Sequence, residues 1–108
     1  MKVSVVIATL LLGVSAHASR AKCFLKVDGK IYINGICNLD GPHPGGTFSI
    51  TDGKTGTSAY ISIIENIFHG SWNGAHPFKK ADQELGRMTN RNRACRYNDR
   101  ATICAWAL

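Results

Sequence analysis

Hydrophobic and polar residues alternate over short stretches of this chain, and turn-forming residues separate these stretches about every 8 to 12 positions. The clearest alternation is SAYISII at residues 58–64, where Ala59, Ile61 and Ile63 fall on one face of an extended strand. Residues 67–73, IFHGSWN, are expected to pair with it as the next strand. No stretch shows a helical period, so the pattern predicts an all-β domain.

Two dipeptides near the start indicate tight hairpin turns. Asp28-Gly29 follows the stretch CFLKV, and Asn34-Gly35 follows KIYI. Both pairs favour two-residue loops, because Gly and Asn tolerate positive φ angles. The strand between them would have only the four residues KIYI, so the two turns are not equally well supported. We expect a tight β-meander in this region.

Two stretches are predicted to be loops. Residues 41–46, GPHPGG, contain prolines that lack a backbone donor and glycines that loosen the chain. Residues 74–84, GAHPFKKADQE, form the longest polar stretch. We expect both loops to be presented on a rigid scaffold, where they would lose little entropy on binding.

Residues 1–18 have the pattern of a signal peptide. Lys2 gives a positive start, residues 3–12 are mostly apolar, and the Ala-His-Ala at 16–18 matches the small-x-small cleavage pattern. The apolar run is shorter than the roughly 20 residues of a membrane-spanning helix, and the alternative is a short retained anchor. We expect residues 19–108 to form a single domain without a transmembrane segment, exported to the periplasm or secreted.

All four cysteines of the chain follow the predicted leader, and an even number in a small exported protein indicates disulfides. A two-residue turn at 99–100 would make Cys95 and Cys104 direct cross-strand partners, with Cα atoms about 4.5 Å apart. Cys23 and Cys37 would then pair by elimination, although four cysteines can pair in more than one way. The spacings match neither zinc sites nor C-x-x-C redox motifs. We expect structural disulfides, no metal and no cofactor.

The predicted fold is therefore a small antiparallel barrel or sandwich, with about six to eight short strands stapled by two disulfides. In the C-terminal hairpin, the same register places Arg96 and Ile103 on the face opposite to the two cysteines.

Positive charge is concentrated in one part of the chain. The formal net charge is +6, and residues 87–100 contain five arginines opposed only by Asp99, namely Arg87, Arg91, Arg93, Arg96 and Arg100. Such a face attracts polyanions such as nucleic acid, anionic lipid, lipopolysaccharide or an acidic protein. The simpler interpretation is a solvated surface. Among these partners we expect a protein or an anionic envelope component, and no nucleic acid.

Most groups that could perform chemistry lie in residues 68–80, FHGSWNGAHPFKK. His69 and His76 could act as base and acid in phosphodiester cleavage, with Lys79 or Lys80 holding the phosphate. Short motifs of this kind have low specificity, and loop histidines are common. We therefore expect a protein that is not an enzyme.

Trp72 and Asn73 suggest a second kind of site. The indole could stack on a sugar ring while the amide binds hydroxyl groups, and Trp106 could be a second platform. The simpler interpretation is that both indoles fill the core of a small barrel, where large aromatics supply much of the burial.

The stretches CFLKVDGKIYINGICNLD, GSWNGAH and RACRYNDRATICAWAL together resemble a group of small exported proteins of alphaproteobacteria, which pair a C-x-L-x-V-x-G-K opening with a C-A-W ending. The resemblance covers nearly the whole chain after the leader. It implies an exported location and disulfides, and no particular activity. In size and type the chain is also similar to periplasmic lysozyme inhibitors, although GKTGTSAY at 53–60 matches their characteristic loop only loosely, and lysozyme is itself basic.

The function that we expect from the sequence is an exported, non-enzymatic binding module, one form of which would be an inhibitor of an envelope-directed or host protein. The expected binding residues are Trp72, Asn73, His76, Lys79, Lys80, Arg91, Arg93 and Arg96. One alternative is a polyanion or lipopolysaccharide binder that uses the arginines of residues 87–100. Another is a small secreted ribonuclease that uses His69 and His76.

Overall fold

The computed structural model describes residues 18–90 and 92–108. Eight antiparallel strands follow chain order around a closed barrel, and β1 pairs with β8 to complete it. The strands are β1 (Ala18–Val27), β2 (Lys30–Asp40), β3 (Phe48–Thr51), β4 (Ser58–Ile64), β5 (Ile67–Trp72), β6 (Gln83–Asn90), β7 (Cys95–Tyr97) and β8 (Ala101–Ala107). The predicted all-β fold with two disulfides is confirmed, and it takes the form of a barrel.

Residues 1–17 of the predicted leader lie outside the described residues, and Ala18 is the first residue of β1. Over the part of the chain that is described, there is no helix that is both long and apolar enough to cross a bilayer.

Alternate residues of each strand point into the barrel and form one apolar core. In β1 the inward residues are Ala21, Cys23, Leu25 and Val27, and none is more than 1% exposed. Strand β4 contributes Ala59 and Ile61, as its alternation predicted, and it pairs with β5. Aliphatic side chains of this size fill the interior of an eight-stranded barrel without leaving a channel.

The first hairpin confirms one predicted turn. Val27 pairs with Lys30, so Asp28 and Gly29 form a two-residue loop with φ angles of +51° and +83°. Positive φ at both positions is the geometry that Asp-Gly favours in a tight hairpin.

The predicted turn at Asn34-Gly35 is wrong, because both residues lie inside β2, which runs without a break to Asp40. Pairing with the whole length of β1 outweighs the local turn preference of this dipeptide. Gly35 pairs with Cys23, and its φ of +153° is one that glycine adopts more readily than other residues.

Both disulfides are present, and they lie on opposite sides of the barrel wall. Cys23–Cys37 joins inward positions of β1 and β2, with Cα atoms 5.9 Å apart. Cys95–Cys104 joins direct cross-strand partners on the outward face of β7 and β8, with Cα atoms 4.1 Å apart. The predicted register of this hairpin is confirmed, and Ile103 is fully buried on the inward face.

The connections fall into two groups at opposite ends of the barrel, because consecutive strands run in opposite directions. One end, which we call the 41–47 end, contains the loop 41–47, the turn at 65–66 and residues 92–94. The other end, which we call the 73–82 end, contains the turns at 28–29 and 98–100 and the loops 52–57 and 73–82. The two predicted loops therefore lie at opposite ends of the barrel. The longer loop also ends sooner than predicted, since β6 begins at Gln83.

Candidate anion-binding face

Three cations point outward from β1, and we call Arg20, Lys22 and Lys26 the basic stripe. They alternate with the inward core residues of β1, which begin at Ala21, and all three are exposed. A strand rises about 3.3 Å per residue, so the stripe extends over roughly 20 Å on a rigid element. Phe24, half-buried, lies in the same outward row between Lys22 and Lys26.

None of the direct cross-strand partners of the stripe is acidic, although Asp40 lies on the same outward side of β2, one pair beyond Asn38, with its Oδ1 3.2 Å from His43 Nε2. The outward cross-strand partners on β2 and β8 are all uncharged: Asn38, Ile36, Ile31, Trp106 and Thr102. The ion pairs found in residues 18–90 and 92–108 do not include any member of the stripe. These three charges are therefore available to an external anion.

A shallow cleft of about 210 Å³ adjoins one end of the stripe. Arg20 and Lys54 both line this cleft. Asp52, the first residue after β3, also lines it and accepts a hydrogen bond from the Lys54 backbone N–H at 2.9 Å. The lining residues are Arg20, Ile36, Cys37, Asn38, Asp52, Gly53 and Lys54. The cleft adds a fourth cation, Lys54, and one carboxylate, that of Asp52, next to the apolar side chain of Ile36.

The predicted arginine cluster of residues 87–100 does not form one face. Arg87 lies on the outward side of β6, Arg93 is exposed at the 41–47 end, and Arg100 is at the 73–82 end. Arg96 points into the barrel, and Arg91 lies outside the described residues. The described arginines lie on β6, in the loop before β7, on β7 and in the turn before β8. Their side chains therefore point in different directions, although the residues are close in sequence.

Arg100 already has a carboxylate partner. Its Nε and a terminal nitrogen donate to the two carboxylate oxygens of Asp28 at 3.1 and 3.0 Å. This hydrogen bonding lowers the pKa of Asp28 below its ordinary value and raises the pKa of Arg100. An anionic ligand would have to compete with that carboxylate.

Arg96 is only 6% exposed and has no carboxylate partner among the described residues. Its guanidinium lies 4.6 Å from the ring centre of Phe68 and 5.8 Å from that of Phe48. The terminal nitrogens donate to backbone carbonyls, including that of Gly46 at 3.4 Å, whereas Nε has no hydrogen-bond partner within residues 18–90 and 92–108. Burial lowers the pKa of Arg96. A ligand on the outer surface would not reach this group.

Trp72 and Asn73 are also inside the protein. Trp72 packs edge-on against Tyr32, with ring centres 4.7 Å apart. The Asn73 amide is 1% exposed, accepts from the Ser58 backbone N–H, and donates to the carbonyl of Gly56 at 2.7 Å. Both positions favour the core interpretation over the sugar-stacking one, while Trp106 is on the surface at 39% exposure.

The remaining predicted residues lie in or near the 73–82 loop. His76, Lys79 and Lys80 are exposed, and the two lysines line a groove of about 450 Å³ with hydroxyl groups of β3 and β4. His69 lies on the outward face of β5, with Nδ1 3.8 Å from a carboxylate oxygen of Glu84. No hydrogen bond joins the two imidazoles in the described part of the chain, and the ribonuclease interpretation stays a prediction.

Sequence reasoning missed the basic stripe for a simple reason. It started the first strand at Cys23, whereas β1 begins at Ala18 and includes Arg20, Ala21 and Lys22, where basic and apolar residues alternate. Basic and apolar residues at alternate positions are the signal of a strand with one charged face, and this signal was available in the sequence.

Two further observations bear on the function. In residues 18–90 and 92–108, no three His, Cys, Asp or Glu side chains are grouped closely enough to hold a metal ion. The chain matches no protein-family model, no curated protein and no solved structure. The geometry of the described residues is therefore the basis for assigning a function.

Proposed function

We propose that this protein is an exported, non-enzymatic binding module whose ligand is an anionic component of the cell envelope. The observation that carries the proposal is the basic stripe, Arg20, Lys22 and Lys26, whose cross-strand partners are all uncharged. The apolar leader pattern and the two disulfides support an exported location.

The stripe suits an extended anionic ligand for two physical reasons. Its backbone is fixed in the sheet, so binding costs only the freedom of the side chains. Each lysine or arginine near an anionic surface contributes about 1 kcal/mol at moderate salt. Three such charges correspond to roughly a 100-fold gain in affinity.

The proposal replaces the arginine cluster with the stripe as the binding element. Of the arginines in residues 87–100, Arg96 is buried and Arg100 is paired with Asp28, so those two contribute little to an external field. The three side chains of the basic stripe instead all carry positive charge.

The test compares two triple variants that remove the same amount of charge. Arg20, Lys22 and Lys26 are changed to Gln in one, and Lys79, Lys80 and Arg87 in the other, and binding to inorganic polyphosphate is measured by calorimetry at several salt concentrations. We expect the stripe variant to lose about 100-fold in affinity and most of the salt dependence. The control variant should lose only a few-fold. Equal losses in both would show that net charge alone is responsible and would refute the proposal.

A further inference from the structure

We propose that the outward face of β8, β1 and β2 docks on an anionic lipid leaflet, with lipid phosphates at the basic stripe and apolar side chains in the boundary between headgroups and acyl chains. This inference rests on the proposed function and names the ligand class of the same face. It is carried by the side chains that border the stripe.

Three exposed apolar side chains border the basic stripe, and we call Ile31, Ile36 and Trp106 the apolar border. They are 51%, 47% and 39% exposed, respectively. A soluble polyanion would use the cations and would gain nothing from these side chains. An interfacial lipid surface uses both, because it offers phosphates and apolar chains within a few ångströms of each other.

The border is arranged in register with the cations. Lys22 faces Ile36 on β2 and Trp106 on β8, so one row across the three strands reads apolar, basic, apolar. Lys26 faces Ile31 in a second row. A lysine between apolar neighbours can keep its alkyl stem at their level and extend its ammonium toward a phosphate. The indole of Trp106 suits the same depth, since tryptophan prefers membrane interfaces.

The cleft beside Arg20 gives one headgroup a defined position. Arg20 and Lys54 both line it, and Ile36 of the apolar border forms part of the same wall. Asp52 is the acidic residue in this lining, and its Oδ1 is engaged by the Lys54 backbone. A phosphate between the two cations would leave the attached glycerol and acyl chains beside Ile36.

The opposite outer face of the barrel has a different composition. On β5 and β6 the outward pairs are His69 with Arg87 and Ser71 with Glu84, so charges of both signs are mixed with hydroxyl groups. Ile64 at the end of β4 is 53% exposed, but it lies beside the turn at 65–66, far from the basic stripe in the strand order. Cations and exposed apolar side chains therefore alternate in register on the β8–β1–β2 face.

The chain provides its own spectroscopic probe, because it has two tryptophans. Trp72 is in the core and Trp106 is in the apolar border. We expect the emission of Trp106 to shift to shorter wavelength on vesicles of phosphatidylcholine with about one-third phosphatidylglycerol, and not on phosphatidylcholine alone. Trp106→Phe should abolish the shift, whereas Trp72 contributes a constant background. No shift on the anionic vesicles would overturn the inference.

A paired binding measurement separates the inference from the proposed function. Ile31→Ser, in the apolar border but outside the cleft, should weaken vesicle binding about tenfold, the effect of one apolar side chain, while polyphosphate binding stays unchanged. Ile64→Ser, an exposed isoleucine on the other face, is the matched control and should change neither. If the wild type binds polyphosphate through the stripe but neither vesicles nor purified anionic lipid, the proposed function stands and the lipid inference falls. Tighter binding to soluble polyglutamate than to vesicles would also overturn it, in favour of an acidic protein partner.

Discussion

Each end of the barrel has one buried polar side chain that hydrogen-bonds to its loops, Asn73 at one end and Arg96 at the other. The two side chains differ in how completely their donors and acceptors are hydrogen-bonded. At the 73–82 end, the neutral amide of Asn73 bonds to the backbone at Ser58, Gly56 and Lys79. At the 41–47 end, and counting only the part of the chain that the structure describes, the charged guanidinium of Arg96 donates to carbonyls alone, and its Nε has no partner. Both tie loops together across the end of the barrel.

The difference shows what each kind of group needs from its surroundings. An amide offers two donors and two acceptor sites, and a few backbone groups of two loops can satisfy it. A guanidinium has five donors and a charge, which a small barrel can meet only with carbonyls and the faces of Phe48 and Phe68. We therefore expect the amide to stabilise its end strongly and the guanidinium to contribute mainly through packing.

The largest effect should come from Asn73→Ala. Removing the amide leaves the Ser58 N–H and the Lys79 carbonyl without this partner, whereas the Gly56 carbonyl keeps the Phe78 N–H at 2.9 Å. Each buried unsatisfied group costs about 1 to 3 kcal/mol. We expect a loss of about 3 to 5 kcal/mol in the free energy of unfolding, measured by urea denaturation. Asn34→Ala, at an exposed position of β2, should change it by less than about 0.5 kcal/mol. A loss below about 1 kcal/mol at Asn73 would contradict this account.

A smaller effect is expected at the other end from Arg96→Met. Methionine fills similar space between Phe48 and Phe68, and it removes a buried charge that has no carboxylate partner, so stability should change by less than about 1.5 kcal/mol. Arg96→Ala also loses the packing and should cost about 2 to 4 kcal/mol. Thermal unfolding of both variants gives the comparison. If methionine is as costly as alanine, the charge of Arg96 matters more than its volume.

The smallest effect concerns Arg100, the arginine that does have a carboxylate partner. Because the folded-state pKa of Asp28 is lowered below 3.8, the pair stabilises the fold above that pH and loses its contribution as pH falls through the lowered value. Asp28→Asn should be slightly less stable than the wild type at neutral pH, and the two should converge in strong acid. A difference in melting temperature that persists in strong acid would mean that the ion pair is not its cause.

Local signals in the sequence predicted those parts of the fold that depend on neighbouring residues. The alternation of residues 58–64, the Asp28-Gly29 turn and the register that pairs Cys95 with Cys104 are all present. Each of these features depends on a few consecutive residues, and the hairpin register also placed Arg96 and Ile103 on the face opposite to the two cysteines. The pairing of Cys23 with Cys37, obtained by elimination, is present as well.

Features that depend on distant partners could not be predicted in this way. Asn34-Gly35 has the local pattern of a turn, but the length of β1 keeps both residues in a strand. The buried state of Asn73 depends on Gly56, 17 positions away, and that of Arg96 on Gly46, 50 positions away. The candidate site also depends on distant partners, because the uncharged residues beside the basic stripe lie on β2 and β8. Only the alternation within β1 was visible in the sequence.

The pairing of β1 with β8 also determines when the barrel can form. It joins the first strand to the last, with Ala21 beside Ala107 and Val27 beside Ala101. A seam between such distant segments raises the contact order and slows folding. When the chain folds, β1 can pair with its neighbour β2 early, but its other edge stays unpaired until β8 reaches it. The folding chain therefore passes through a period in which the edge of an apolar strand is open to aggregation, and a chaperone that covers this edge would raise the yield of folded protein.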